Sequence, residues 1–221
     1  MPETRVPAGD DSVVTPIRPG TPIRPDPDAA PPVVPDAFGS DLQDLARSTA
    51  QEAEEFLTTV TEVAAGSNPE AAVRLLLLAV SDIIAAGARL GAIVDVVPEE
   101  RFEPDDGPDP DVDPLRLALA NLFADIDEYV AVTDPLQSSS VSGGTLSGDI
   151  AAVAQALSHG LVHSRAGHLA EALWWWQFSY VASWGDAAAN ALRVLLSVLA
   201  HLRLDVDEEV AAEAEFDALH R

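Results

Sequence analysis

The chain has 221 residues, no cysteine and no lysine, and a formal net charge of −25 at pH 7. The length favours one core with appendages, and the lack of cysteine excludes disulfide frameworks and thiolate metal sites. A negative field of this size, with no arginine cluster to offset it, disfavours nucleic acids and anionic membranes and favours a basic protein partner or cations.

The acidity is segmental. Residues 1–38 carry −3, residues 95–113 carry −8 and residues 205–217 carry −7, leaving −7 for the rest. Met1 to Gly9 contains no apolar run of the kind a secretory signal needs, which together with the absent cysteine makes the cytoplasm the expected compartment.

Residues 1–38 hold ten of the seventeen prolines and no apolar periodicity, so they are expected to be disordered or locally polyproline II. Thr15-Pro-Ile-Arg-Pro19 recurs there as Thr21-Pro-Ile-Arg-Pro25, either a docking peptide or a duplicated low-complexity tail. An all-helical domain is predicted over residues 39–204. Its first helix begins at Ser40, where Ser40-Asp-Leu-Gln43 has capping-box spacing, and ends at Gly66. Leu42, Leu45, Ala46, Thr49, Ala53, Phe56, Leu57, Val60 and Val63 form one apolar face.

Asn68-Pro69 starts a second helix that continues to about Ala92 and is apolar nearly all round. A buried central helix is expected in preference to a membrane span, because Asp82 and Arg89 would each cost about 2.5–3.5 kcal/mol near a bilayer centre. These two residues share a face, and each is expected to find its own partner. Residues 95–113 read as a proline-punctuated acidic loop. Asp109, Asp111 and Asp113 alternate like carboxylates around a hard cation, but no bidentate Glu completes the set, so a solvated loop is the simpler reading.

Asp113-Pro114 repeats the start signal, and Leu115, Leu119, Leu122, Phe123, Ile126 and Tyr129 predict a helix to about Val132. Residues 137–146 form a Ser/Gly-rich linker. Another helix restarts around Ser147 to Asp149 and ends at Gly167. The segment after it, Glu171 to Trp184, holds all four tryptophans. Successive helical residues lie about 100° apart, so Trp174, Trp175 and Trp176 fan across some 200°. Trp176, Tyr180 and Trp184 make one stripe; Trp174, Phe178 and Val181 make a second. Either this helix is buried on almost every side or one tryptophan is exposed as an anchor. Gly160, His163, Gly167, Ala172 and Trp176 have the spacing of a tetratricopeptide helical hairpin, without a second copy. Asp186 is expected to cap a further helix whose leucines pack back on the aromatic one, and residues 205–221 form an acidic tail.

The run L-x-H-G-L-x-H-x-R-A-G-x-x-x-E-A-L-W-W-W-Q-F-S-Y at Leu157 to Tyr180, then Trp184-Gly185, resembles the signature of domain-of-unknown-function family 5063, typical of high-GC Gram-positive bacteria. Ala86-Gly-x-Arg-Leu-Gly91 and Val97-Pro-Glu-Glu-Arg-Phe-Glu-Pro-Asp105 extend the likeness, which covers roughly residues 41–204. The resemblance implies no activity, cofactor or catalytic residue.

His159 and His163 are four apart on one face, the geometry of two zinc ligands, with His168 just beyond the turn, yet the Glu of zinc proteases is missing between them. No phosphate loop, dinucleotide fingerprint or nucleophile elbow occurs. Arg165, Glu171, Gln177 and Tyr180 are candidates to line a small-ligand pocket beside the tryptophans. The expectation is an all-α, single-domain bundle of about six helices with a tetratricopeptide-like hairpin. It is read as an interaction or scaffold module, without cofactor or catalytic residue, for an unidentified protein partner. The alternatives are a metal-binding protein or enzyme using His159 and His163, and an acidic mimic of nucleic acid that titrates a basic partner.

Overall fold

The computed structural model of the protein describes residues 39–99, 107–108, 110–132 and 141–204, all within one compact unit. The Pro-rich and acidic tails, residues 100–106 and 109 of the acidic loop, and residues 133–140 lie outside the described residues. The fold is all-α with a minor hairpin: α1 (Ser40–Ala64), α2 (Ala72–Ala92), α3 (Asp113–Leu122), β1 (Glu128–Val132), β2 (Val141–Thr145), α4 (Leu146–Ala166), α5 (Leu169–Ser179) and α6 (Gly185–Leu204). The core lies where α1 and α2 meet α4, α5 and α6.

The face predicted for α1 is the buried one, with Ala46, Thr49, Ala53, Phe56, Val60 and Val63 inward. Its start differs from expectation. Gly39 is the N-cap, no side chain caps the helix, and Ser40 instead donates to the Asp41 carboxylate. Asn68 does cap the next segment, accepting from Ala71 N at 3.3 Å before a single 3₁₀ turn leads into α2. That helix is not covered all round. Ala72, Leu76, Val80, Ile83, Ala86 and Leu90 face the core, while Leu75 and Leu78 are exposed.

Two expectations fail between residues 123 and 146. The third helix stops at Leu122, and Glu128-Tyr-Val-Ala-Val132 is a strand paired antiparallel with Val141-Ser-Gly-Gly-Thr145, the segment expected to be linker. The apolar spacing of Phe123, Ile126 and Tyr129 imitates a helix, but β-branched and aromatic residues prefer a pleated surface with a partner strand. That partner has glycines at its centre: a Cβ on Gly144 would lie 2.6 Å from the Tyr129 ring, so the ring lies across bare backbone. Leu146, expected in the linker, is the first residue of α4 and fully buried. Thr145 caps this helix through Gly148 N, and buried Asp127 accepts from both Ser147 N (2.7 Å) and Ser147 Oγ (2.8 Å). These bonds satisfy amides that have no partner inside the helix.

Gly167 ends α4 in the left-handed region (φ 93°), with Gly167 N bonded to Ser164 O and His168 N to His163 O. This paired closure lets α5 fold back at once onto α4. The separate helix start expected at Asp186 does not occur. Tyr180–Trp184 is a π-helical segment, closed by Gly185 N on Tyr180 O, and the chain runs through it into α6. A Cβ at residue 185 would lie 2.5 Å from Tyr180 O, so the wide turn requires glycine there. Helix α6 therefore packs on α2 and α4, with Ala188, Ala191, Val194 and Leu195 buried and Leu196 and Leu202 exposed.

Candidate interaction surface

The aromatic helix divides its rings between core and surface. Trp176 and Trp184 are fully buried, at 0% and 1% exposure, and Trp174 and Trp175 are half-buried. Trp176 enters the space left by Gly160 and donates to Leu157 O at 3.1 Å; Trp175 donates to the neighbouring carbonyl of Ala156 at 2.9 Å. Trp184 donates to Trp176 O at 3.2 Å and meets Tyr180 edge to face. Tyr180 lies on α2, where a Cβ on Gly87 would be 2.4 Å from its ring and one on Gly91 3.2 Å. The two glycines, one turn apart, make a shallow seat for a flat side chain.

The second stripe is what the fold leaves uncovered. Trp174 and Phe178 are stacked with centroids 5.7 Å apart and planes 10° apart. Phe178 is 54% exposed and Val181 77%. Across from them the chain leaves α2 through Val94 to Val97, and Asp95, Val96 and Val97 complete a groove of about 400 Å³ with Trp174, Phe178 and Val181. Gln177 holds this rim in place. Its carbonyl accepts from Val96 N (2.7 Å), and its amide donates to Leu90 O (3.0 Å) and Val94 O (3.3 Å), tying the end of α2 to α5.

The four residues expected to line a ligand pocket are spread over different surroundings. Gln177 borders the aromatic groove while holding its rim, Tyr180 rests on α2, and Arg165 pairs with Glu54 of α1 at 3.0 Å. Glu171 stands in the first turn of α5, half-buried. His159 and His163 do meet: their Nε2 atoms are 3.3 Å apart, with His163 buried and Trp175 against His159 at 4.1 Å. This separation suits one shared proton and also two ligands on a single tetrahedral ion. Among the described residues no group of three His, Cys, Asp or Glu is arranged to hold a metal. Asp111 accepts from Asp113 N, and Asp113 pairs with Arg116 at 3.0 Å. Arg89, expected to find its own partner, pairs with Glu52 of α1.

One cluster was not foreseen. Tyr129 Oη donates to Asp149 Oδ2 at 2.5 Å, while the Arg193 guanidinium lies over the Tyr129 ring at 5.4 Å. Burial pushes the Asp149 carboxyl up to about 6, with the Tyr129 hydrogen bond opposing and the charge of Asp186 adding to the rise. Burial, then the bond to Asp149, raises the Tyr129 hydroxyl above its ordinary value. The cluster pins the hairpin to α4 and α6. The pairing of Tyr129 with Gly144 is the signal in the chain that points to it, since an aromatic across a glycine is a recurrent strand device.

Residues 40–201 match the family described as Domain of unknown function (DUF5063). The chain belongs to this family. The DUF5063 domain is similar in fold to a crystal structure of protein BF1032 from Bacteroides fragilis, with a TM-score of 0.54 and 18% identity over 68% of this chain and 89% of that one. No curated protein is significantly similar to it.

Proposed function

We propose that this DUF5063 domain is a cytoplasmic protein-interaction module without a catalytic role, and that its partner inserts an apolar side chain flanked by basic residues into the groove beside α5. The observation that carries this reading is the stacked Trp174–Phe178 pair continued by exposed Val181 on a helix whose other face is locked by Trp176 and Gln177. Rigid aromatic and aliphatic groups bind at low entropic cost, and aromatics dominate interface energies. Asp95 in the lining and the charge of −25 favour basic flanks.

Val181→Asp places a charge in the groove without touching the core. Captured partner retained by the wild-type chain and lost by this variant, with thermal stability unchanged, supports the reading; equal recovery by both, or none by either, refutes it.

The 3.3 Å separation of the two histidine Nε2 atoms favours a second reading, a metal-binding protein, in which Nε2 of His159 and His163 hold one ion and further ligands come from outside the described residues or from solvent. Elemental analysis decides it: one metal per chain, lost in His163→Gln, supports it, and none removes it.

A further inference from the structure

Helix α2 is strongly apolar and incompletely covered. Residues Pro69–Ala92 are long and apolar enough to cross a membrane, yet only 39% of their most apolar window is buried. Leu78 is 63% exposed and Leu75 38%. Leu75, Leu78, Asp82, Ala85 and Arg89 recur along one stripe of α2 for roughly 21 Å at 1.5 Å per residue. This stripe and α1 enclose a groove of about 390 Å³ with Phe56 and Ala79 in its floor.

The rim chooses among possible occupants. Glu52 and Glu55 on α1 face Asp82 on α2 across the apolar floor, and the one arginine in the groove, Arg89, is already paired with Glu52. The second carboxylate oxygen of Glu52 is buried and receives no hydrogen bond. A rim with an excess of carboxylates repels anionic lipid headgroups and an equally acidic second copy of this chain. It attracts a ligand carrying ammonium or guanidinium groups on both sides of an apolar stripe. A groove between two helices is the shape that accepts a third helix by ridge-and-groove packing.

We infer that the α1–α2 face is a docking site for a basic amphipathic helix of a partner protein, whose leucine-like stripe covers Leu75 and Leu78 and whose Lys or Arg residues pair with Glu52, Glu55 and Asp82. This site is separate from the aromatic groove beside α5, and the two stand or fall independently.

The test uses the full chain and three fluorescein-labelled 18-residue peptides: a helix with a Leu stripe flanked by Lys, the same helix with Glu for Lys, and a scramble of the first. Fluorescence anisotropy should show saturable binding of the Lys helix and at least about tenfold weaker binding of the other two, a difference of roughly 1.4 kcal/mol. Leu78→Asp should weaken the Lys helix by a similar factor, as should Glu55→Lys with Asp82→Lys. Leu117→Asp, at an exposed residue of α3 that does not line the groove, should leave it unchanged. All three variants alter exposed residues, and circular dichroism melting confirms that each is folded. No binding, equal binding of the scramble or the Glu helix, or indifference to Leu78→Asp overturns the inference. So does either competing occupant: a concentration-dependent dimer that Leu78→Asp abolishes, which assigns the face to a second copy, or flotation on phosphatidylcholine vesicles lost in the same variant, which assigns it to a membrane.

Discussion

Trp176 and Gly160 occupy one space: a methyl group on residue 160 would lie 2.1 Å from the indole Nε1. The ring is fully buried and donates to Leu157 O, so it has no alternative position that keeps both burial and hydrogen bond. Gly160→Ala is expected to destabilise the domain by about 1–3 kcal/mol through overpacking. Gly167→Ala, where nothing crowds the added carbon but φ is 93°, should cost less, on the order of 1 kcal/mol. Chemical denaturation of the two variants checks the ranking.

Gln177 connects the aromatic helix to the exit of α2 through one accepted and two well-formed donated bonds. Gln177→Leu keeps much of the volume and leaves the buried Val96 amide without its acceptor. A loss of about 1–3 kcal/mol follows from an unsatisfied buried group. Hydrogen exchange should show the Val96 amide losing protection while the middle of α2 keeps it.

The Asp149 carboxyl titrates near 6 in the fold against an ordinary 3.8. The folded state therefore holds this proton more tightly than the unfolded chain. Its favourable contribution is complete below about pH 4 and declines as pH rises toward 6. Asp149→Asn keeps an acceptor for Tyr129 and removes the charge. Relative to wild type, the variant should gain stability between pH 4 and 6.5, by on the order of 1 kcal/mol once partial solvent screening is allowed for. Melting of both proteins across that interval measures it; a difference independent of pH would contradict the assignment.

Tryptophan emission separates the four rings. Trp176 and Trp184 are buried, whereas Trp174 and Trp175 reach the surface. A soluble quencher should reach only part of the total emission. Trp174→Phe should reduce that part at a stability cost of about 1 kcal/mol, as for a half-buried ring packed against the core.

Residues 40–64 show how much of the fold is legible in the chain, because there the apolar period agrees with the packing that results, and Asn68-Pro69 marks the next start as expected. The hairpin hides for a physical reason. Phe123, Ile126 and Tyr129 recur at helical spacing, and only Gly143-Gly144, distant in sequence, makes a strand at Tyr129 favourable. The continuous passage from α5 to α6 hides likewise: Asp186 reads as the cap of a new helix, yet Gly185 before it serves a π turn that a Cβ would obstruct. At the candidate surface the two aromatic stripes could be read from spacing alone. Which stripe faces outward depends on Gly160, Gly87 and Gly91, whose seats receive Trp176 and Tyr180 and leave Trp174 and Phe178 at the surface. Gln177 borders the groove beside Trp174 and also bonds backbone groups of residues 90–96 that no local pattern links to it.

The central claim is that the Trp174–Phe178–Val181 stripe binds a protein partner. Its most direct measurement is quantitative capture from a lysate of the source cells by the wild-type chain and by Val181→Asp, with matched melting temperatures. A stoichiometric partner is expected on the wild type, falling at least about tenfold on the variant. The same partner at the same level on both would contradict it.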